Sequence, residues 1–372
     1  MIVERLRLRD FRSYAVADLE LGSGVTVLHG RNGAGKTNLL EGLYFGCTGR
    51  SCRTSNEREL IRFGAGATRV EVEGHDGDGP HSLSVGFQPG EAKRLKADGA
   101  PVERLIDVSA RPLVSVFLPD RLELVKGAPS LRRAHLDQLV SALWPARTDT
   151  RRAYNAALAQ RNALLGRIRS GRASRASLPA WDAEVARHGI ALRDDRAAAV
   201  ERIRAPFGLL AGELGLAGEA TLRYRARSKA ASAEELAAEL AERTDGDLER
   251  GFTGHGPHRD DLVLERDGRE LRSYGSQGEQ RLGLLALLLA EREALAQVRD
   301  TVPLLLLDDV MSELDPDRRA RLAERVARHG QAVITTTDLS FVPGADGPGV
   351  TRVAVADGQL TPDATGARLE AA

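Results

Sequence analysis

Cysteine is close to absent from this chain. Two occur in 372 residues, Cys47 and Cys52, within the stretch "CTGRSC". A single C-x4-C pair with no second pair of ligands makes a poor zinc site, and a bridge between its members would be incidental. Two reduced thiols in a reducing compartment are the expectation. Long apolar runs are lacking too. The longest, "LGLLALLLA" at 282–290, is about half of what a membrane span needs. The N-terminus "MIVERLRLRDF" alternates charge with apolar residues and has no signal-peptide core. No membrane partner and a cytoplasmic location are therefore expected. Net charge is the third absence: Lys and Arg total 53 against 53 Asp and Glu. The balance hides an uneven distribution. Residues 151–175 hold seven Arg and no acid, whereas residues 231–250 hold seven acids against Arg243 and Arg250.

What is present is a pattern of alternating and helical segments. At this length one domain with a large insertion, or two domains, is expected. "IVERLRLRDF" and "GVTVLHG" read as strands, followed by a helix over 38–46. Strands at 68–73 and 81–87 flank the turn "GHDGDGP", and "RPLVSVFLPD" is a further buried strand. From 130 to 207 apolar positions recur at helical spacing, with a polar break at 170–179, which predicts an antiparallel helical hairpin. "TLRYRARS" alternates again and "AEELAAELAER" is helical. Strand character returns at "DDLVLERDG". A helix over 277–298, the strand "VPLLLLDD", a helix over 316–328 and the strand "QAVITTTD" complete the pattern. The expectation is a split α/β domain, 1–125 and 245–372, around an inserted, mainly helical arm at 126–244.

The chemistry-bearing stretch is "GRNGAGKT", residues 30–37, between a strand and a helix. It satisfies the phosphate-loop spacing. Gly30, Gly33 and Gly35 let the backbone of Gly30, Arg31, Asn32, Gly33, Ala34 and Gly35 curl until its N–H groups converge on phosphate oxygens. Lys36 then reaches the β- and γ-phosphates, Thr37 places its hydroxyl on Mg²⁺, and Asn38 follows on the same turn. This predicts binding of a nucleoside triphosphate, with ATP and Mg²⁺ as cofactors. Such a loop needs a distant acid. "LLLLDD" (304–309) ends an apolar strand in two carboxylates: Asp308 to hold the metal through water, and Asp309 to polarise the attacking water. "SYGSQGEQRL" (273–282) is a polar, glycine-bearing turn that enters a helix. Ser276 and Glu279 fit an ordinary capping box. Gly275 and Gly278 leave the backbone bare where a helix start could hold an anion.

Taken in order, "GRNGAGKT", "SQGEQ", "LLLLDD", "SELD" and "VITTTD" resemble the ATP-binding-cassette type of ATPase, in its SMC-like branch. "LRLRDFRSY" (6–14), "PDRLELVKGAPSLRRAHLD" (119–137) and "TGHGPHRDD" (253–261) narrow the resemblance to the RecF family of DNA replication and repair ATPases. The resemblance spans nearly the whole chain and implies an SMC-like ATPase head with an inserted arm. It also implies that Arg12 touches nucleotide. Ser276, Gln277, Gly278 and Glu279, with Asp315 of "SELD", would contact the γ-phosphate of ATP held by a second copy, so that ATP closes a homodimer. Two departures from the family stand out. Thr337 occupies the γ-phosphate sensor position where histidine is usual, and Asp309 stands where many relatives carry Glu. Both imply slow hydrolysis by a weak, Mg-dependent ATPase that clamps more than it drives. His135 replaces an aromatic. His258 and Arg259 fit either a self-braced polar loop or a part in nucleotide sensing.

Residues 121–175 carry twelve Lys or Arg against three acids, an electrostatic footprint suited to phosphate backbone. Arg151, Arg152, Arg161, Arg167, Arg169 and Arg172 are the DNA-contacting candidates, with Arg223, Arg225 and Arg227 possible additions. The segment is poor in aromatics and shows no base-reading motif, which favours duplex bound without sequence preference. The family adds single-strand gap junctions and the partners RecR, RecO and RecA. Two rivals keep the nucleotide and change the rest. A transporter ATPase subunit would separate loop and helix-start motif by far fewer than the 240 positions between Lys36 and Ser276. An ATP-switched scaffold would not bind DNA at all.

Overall fold

In the computed structural model, which describes residues 1–363, the alternating opening segment is a strand, Ile2–Phe11. Leu6 and Leu8 point inward, while Arg5 and Arg7 point outward to Asp18 and Glu73. It sits within a six-stranded antiparallel sheet ordered Tyr14–Glu20, Ile2–Phe11, Thr68–Asp76, Gly79–Phe87, Arg94–Ala97 and Ala100–Pro101. The short apolar runs form the second sheet, because a strand covered on both faces has no polar side to show. Its order is Gln359–Pro362, Val350–Ala356, Val25–His29, Ala332–Thr336, Leu304–Leu307 and Val114–Phe117. All neighbours are parallel except the terminal hairpin.

The helix Lys36–Thr48 is apolar on nearly every side, as a helix enclosed by other layers must be. Leu39, Leu40, Leu43 and Phe45 share one core with Leu6, Leu8, Val70 and Val72 of the antiparallel sheet and with Leu28, Leu306 and Val333 of the parallel one. The core thereby fixes the start of this helix relative to the tips of the parallel strands.

Contacts divide the chain into two units: Met1–Asp120 with the chain from Arg299 onward, and Arg121–Val298. The second unit's longest helices before residue 220 are Pro129–Leu143, Thr148–Arg169 and Leu178–Glu213. Tyr154 and Ala157 pack on Val185 and Leu192, and Leu164 and Leu165 on Leu178, so the expected hairpin is antiparallel. Residues 245–298, expected with the nucleotide-binding part, cluster with the insert instead. Asp261–Arg266 pairs in register with Ala220–Arg225, and six ladder positions hold that segment to the arm side. The hairpin Val350–Pro362 was not expected, and neither was the strand Tyr14–Glu20. No described helix is long and apolar enough to cross a membrane.

Candidate functional site

The loop Gly30–Gly35 leaves the strand Val25–His29 and enters the helix Lys36–Thr48. Gly30 lies against the carbonyl of Val355 so closely that no side chain fits, which ties the loop to the terminal hairpin. Gly35 has φ +107° and its α-carbon faces the Tyr14 ring; a Cβ there would stand 2.5 Å from the Tyr14 hydroxyl. Arg31, Asn32 and Gly33 are exposed at the loop tip. Lys36 is buried, and its ammonium donates to the carbonyls of Gly30 (2.6 Å) and Arg31 (2.9 Å). Burial lowers the Lys36 pKa, and the negative charges of Asp309 and Asp308 oppose that shift.

Asp308 ends the strand Leu304–Leu307 and meets the loop directly. The Thr37 hydroxyl lies 2.9 and 3.0 Å from its two carboxylate oxygens, and the Thr335 hydroxyl lies 2.8 Å from one of them. Burial raises the Asp308 pKa, against the pull of the two hydroxyls. Asp309 has φ +49°, its N–H donates to Thr335 Oγ1 at 2.9 Å, and its buried Oδ1 has no hydrogen-bond partner. A hydroxyl and a carboxylate thus converge beside a loop of backbone N–H groups, a donor set that suits a hard divalent cation with phosphate. Thr337 directly follows the strand Ala332–Thr336 and is half-buried.

Arg12 closes the same corner. It sits at φ +52° in the turn between the first two strands and grips Glu41 with two bonds of 2.8 Å. Glu41 is fully buried and also accepts from Ser51 (2.5 Å) and Arg53 (3.2 Å). Arg53 reaches Asn38 Oδ1 at 3.2 Å, and Asn38 donates to Ser13 Oγ at 2.9 Å. Glu41 and Arg53 escaped the sequence reading. An acid at the inner face of an otherwise apolar helix was the available signal, since a buried carboxylate needs a cation. Cys47 and Cys52 form no disulfide; burial pushes the Cys47 thiol up to about 12.

In the second unit, Ser276 and Glu279 form the expected reciprocal cap. The Ser276 N–H donates to Glu279 Oε2 at 2.8 Å, and the Glu279 N–H lies 3.3 Å from Ser276 Oγ. Arg266 pairs with Glu279. Ser276, Gln277 and Gly278 are exposed, and a Cβ on Gly278 would meet nothing within 4 Å. Asp315, in the first unit, caps the helix Pro316–Arg328 by accepting from the Arg318 N–H at 3.0 Å.

Two further motif stretches meet inside the second unit. Arg132 of "SLRRAHLD" binds Asp261 of "TGHGPHRDD" with bonds of 2.7 and 2.9 Å, and Arg133 donates to the Asp260 carbonyl at 2.8 Å. Asp137 accepts two bonds from Arg196, which also donates to the Pro257 carbonyl. His258 faces the Thr253 carbonyl through Nε2, so that nitrogen carries the proton, and Nδ1 accepts from the Tyr154 hydroxyl at 2.7 Å. Burial lowers the His258 pKa to about 4. The histidine is therefore a neutral brace of its own unit. His135 lies 2.7 Å from Glu291 and is largely buried.

The arginine candidates separate. Arg161 has no exposed surface and binds Asp182, Asp247 and Thr253 at 2.6–2.7 Å. It is a core ion-pair residue and is withdrawn from the DNA candidates, because a count of charges cannot tell a buried guanidinium from an exposed one. Arg223 pairs with Glu265, and Arg225 with Glu270 and Asp261, so those charges are largely offset. Arg151 and Arg152 are exposed but paired with Asp137 and Asp149. Arg167, Arg169 and Arg172 are exposed around the end of the helix Thr148–Arg169.

Comparison with known proteins agrees with this layout. The family described as RecF/RecN/SMC N terminal domain matches residues 2–356. The DNA replication and repair protein RecF of Frankia alni is 39% identical over 97% of this chain and 99% of its own length. That of an Anaeromyxobacter species is 40% identical over 96% and 98%. A solved structure of the recombination mediator protein RecF-ATP in the RecFOR pathway superposes with a TM-score of 0.86 at 28% identity, covering 98% of both chains. An Smc head bound to the C-winged helix domain of ScpA gives 0.60 at 17% identity over 97% of each chain, a likeness of fold. The expected SMC-like ATPase head is therefore the fold, and the chain belongs to the RecF family of DNA replication and repair proteins within the wider RecF/RecN/SMC group.

Proposed function

We propose that this chain is an ATP-switched, DNA-binding protein of recombinational repair and replication-fork maintenance, active as an ATP-closed homodimer. The observation that carries the reading is the meeting of Thr37 and Asp308 beside the phosphate loop at 2.9–3.0 Å. Lys36 exchanges the Gly30 and Arg31 carbonyls for phosphate oxygens. Thr37 and Asp308 would hold Mg²⁺, which would supply neutralisation of the β- and γ-phosphate charge. Asp309 accepts from the attacking water through its unpartnered Oδ1, while Arg12, fixed by Glu41, edges the nucleotide. Ser276, Gln277, Gly278, Glu279 and Asp315 contact the γ-phosphate bound to the partner copy. Thr337 brings no charge to the sensor position, so hydrolysis is weak and serves as release.

In functional terms, 1–125 and 245–372 make the ATPase parts and 126–244 the DNA-facing arm. The candidate surface consists of Arg151, Arg152, Arg167, Arg169 and Arg172. The DNA it acts on is the single-strand gap junction, together with RecR and RecO, ahead of RecA loading, in the cytoplasm; a similar solved protein described as a recombination mediator of the RecFOR pathway supports the link to recombinational repair. The test is sedimentation with and without ATP, Mg²⁺ and duplex DNA, across salt. Wild type dimerises only with ATP and binds duplex with a steep salt dependence. Lys36→Arg remains monomeric, and Asp309→Asn holds the dimer. If both variants sediment as wild type does, the scheme is wrong.

A further inference from the structure

The strand Ile2–Phe11 turns into Tyr14–Glu20 through two residues, Arg12 and Ser13, with Phe11 opposite Tyr14. That tight turn sets Ser13 and Tyr14 against the junction of phosphate loop and helix. Ser13 accepts from Asn38, and the Tyr14 ring fills the space where Gly35 lacks a side chain. Tyr14 is 1% exposed and its hydroxyl has no hydrogen-bond partner. A phenylalanine would fill the same volume without burying an unpaired hydroxyl, which is unfavourable. The hydroxyl is therefore not explained by packing.

The neighbouring backbone supplies an explanation. The Gly30 and Arg31 carbonyls are occupied by the Lys36 ammonium. A loop that turns this ammonium toward phosphate frees those carbonyls, and the Tyr14 hydroxyl is a buried donor beside Gly35 with no other commitment. We propose that Tyr14 is a positioning residue of the phosphate loop, whose hydroxyl pairs with a loop carbonyl only when the loop holds a polyphosphate. The inference rests on the nucleotide-binding reading above. It deepens that reading by adding a residue outside the loop motif.

The test compares full-length wild type with Tyr14→Phe and Tyr14→Leu. A fluorescent ADP and a fluorescent non-hydrolysable ATP analogue, both with Mg²⁺, serve as probes. Melting without nucleotide and steady-state hydrolysis complete the set. Tyr14→Phe is expected to weaken both nucleotides about fivefold to tenfold, the scale of one hydrogen bond. The equal loss follows because the loop backbone cradles phosphates common to ADP and ATP. Its melting temperature without nucleotide stays the same or rises, and hydrolysis shows a raised KM with unchanged kcat. Tyr14→Leu, which also empties ring volume, lowers the melting temperature as well. Wild-type affinity in Tyr14→Phe overturns the inference. So does a lowered melting temperature in Tyr14→Phe, since the hydroxyl would then already be bonded in the free protein. If wild type binds neither probe, the nucleotide reading itself fails and takes this inference with it.

Discussion

The two units bury charged groups in different ways, although the second also holds one unpartnered amide oxygen, Gln280 Oε1. In the second unit the buried charges are matched: Arg132 with Asp261, Arg196 with Asp137, Arg161 with Asp182 and Asp247, and Tyr154 with a neutral His258. At the phosphate loop Glu41 and Asp308 have partners, but the set is incomplete. Asp309 Oδ1 and the Tyr14 hydroxyl lack partners, and the Lys36 ammonium is parked on backbone carbonyls. A saturated polar network rigidifies its surroundings and leaves nothing over for a ligand. Orphaned buried groups cost stability, and a fold retains them where something from outside completes them. The first pattern marks a brace and the second a site.

Breaking the brace should give the largest effect. Arg161→Met leaves Asp182 buried without its cation and Asp247 with Arg250 alone, a loss of about 3–5 kcal/mol that denaturant unfolding would measure. Nucleotide affinity of the remaining folded protein should not change. His258 probes the same network through pH. Its pKa is depressed to about 4 by burial, so the unfolded chain takes up the proton first as pH falls. The stabilising contribution is complete above about pH 6.5 and is lost as pH drops toward 4. The loss is at most about 3–4 kcal/mol for a shift of this size. Melting curves over that window should show it in wild type and a flatter profile in His258→Gln. An equal slope in both would remove His258 from the brace.

The contrast also explains what the sequence could disclose. Strand, phosphate loop and helix are contiguous, so their chemistry is legible from spacing, and the apolar strand ending in Asp308 and Asp309 is a local signal too. The brace is assembled from residues far apart: Arg132 and Asp261 are separated by 129 positions and Arg161 and Asp247 by 86. No window reveals such pairs, and Arg161 therefore passed for a surface charge. The same distance effect moved residues 245–298, because their partner strand Ala220–Arg225 lies in the insert. The terminal hairpin carries a local signal too: "VAVADGQL" alternates around Asp357 and Gly358, both at positive φ, the usual mark of a tight hairpin turn.

The site side of the comparison can be sharpened with two glycines. Gly35→Ala forces a Cβ to 2.5 Å from the Tyr14 hydroxyl at φ +107°. It should weaken ATP about 100-fold or more, on the scale of losing preorganised anion donors. Isothermal titration would check it, and Gly35→Ala/Tyr14→Phe should recover only part of the loss because the backbone strain remains.

Gly278→Ala should have the smallest effect on the isolated chain. Nothing lies within 4 Å of the new methyl group, and the neighbouring Ser276–Glu279 cap stays intact. Nothing in the packing of its own unit calls for glycine at this place. If the reason for glycine is the approach of another copy, the single methyl must act there. The expected result is unchanged melting and unchanged ATP affinity of the monomer, with ATP-dependent dimerisation about tenfold weaker, the scale of one disturbed close contact. Sedimentation equilibrium with ATP and Mg²⁺ reads this directly. A dimer as tight as wild type would mean that the turn meets no partner, and the capping box would then be its whole explanation.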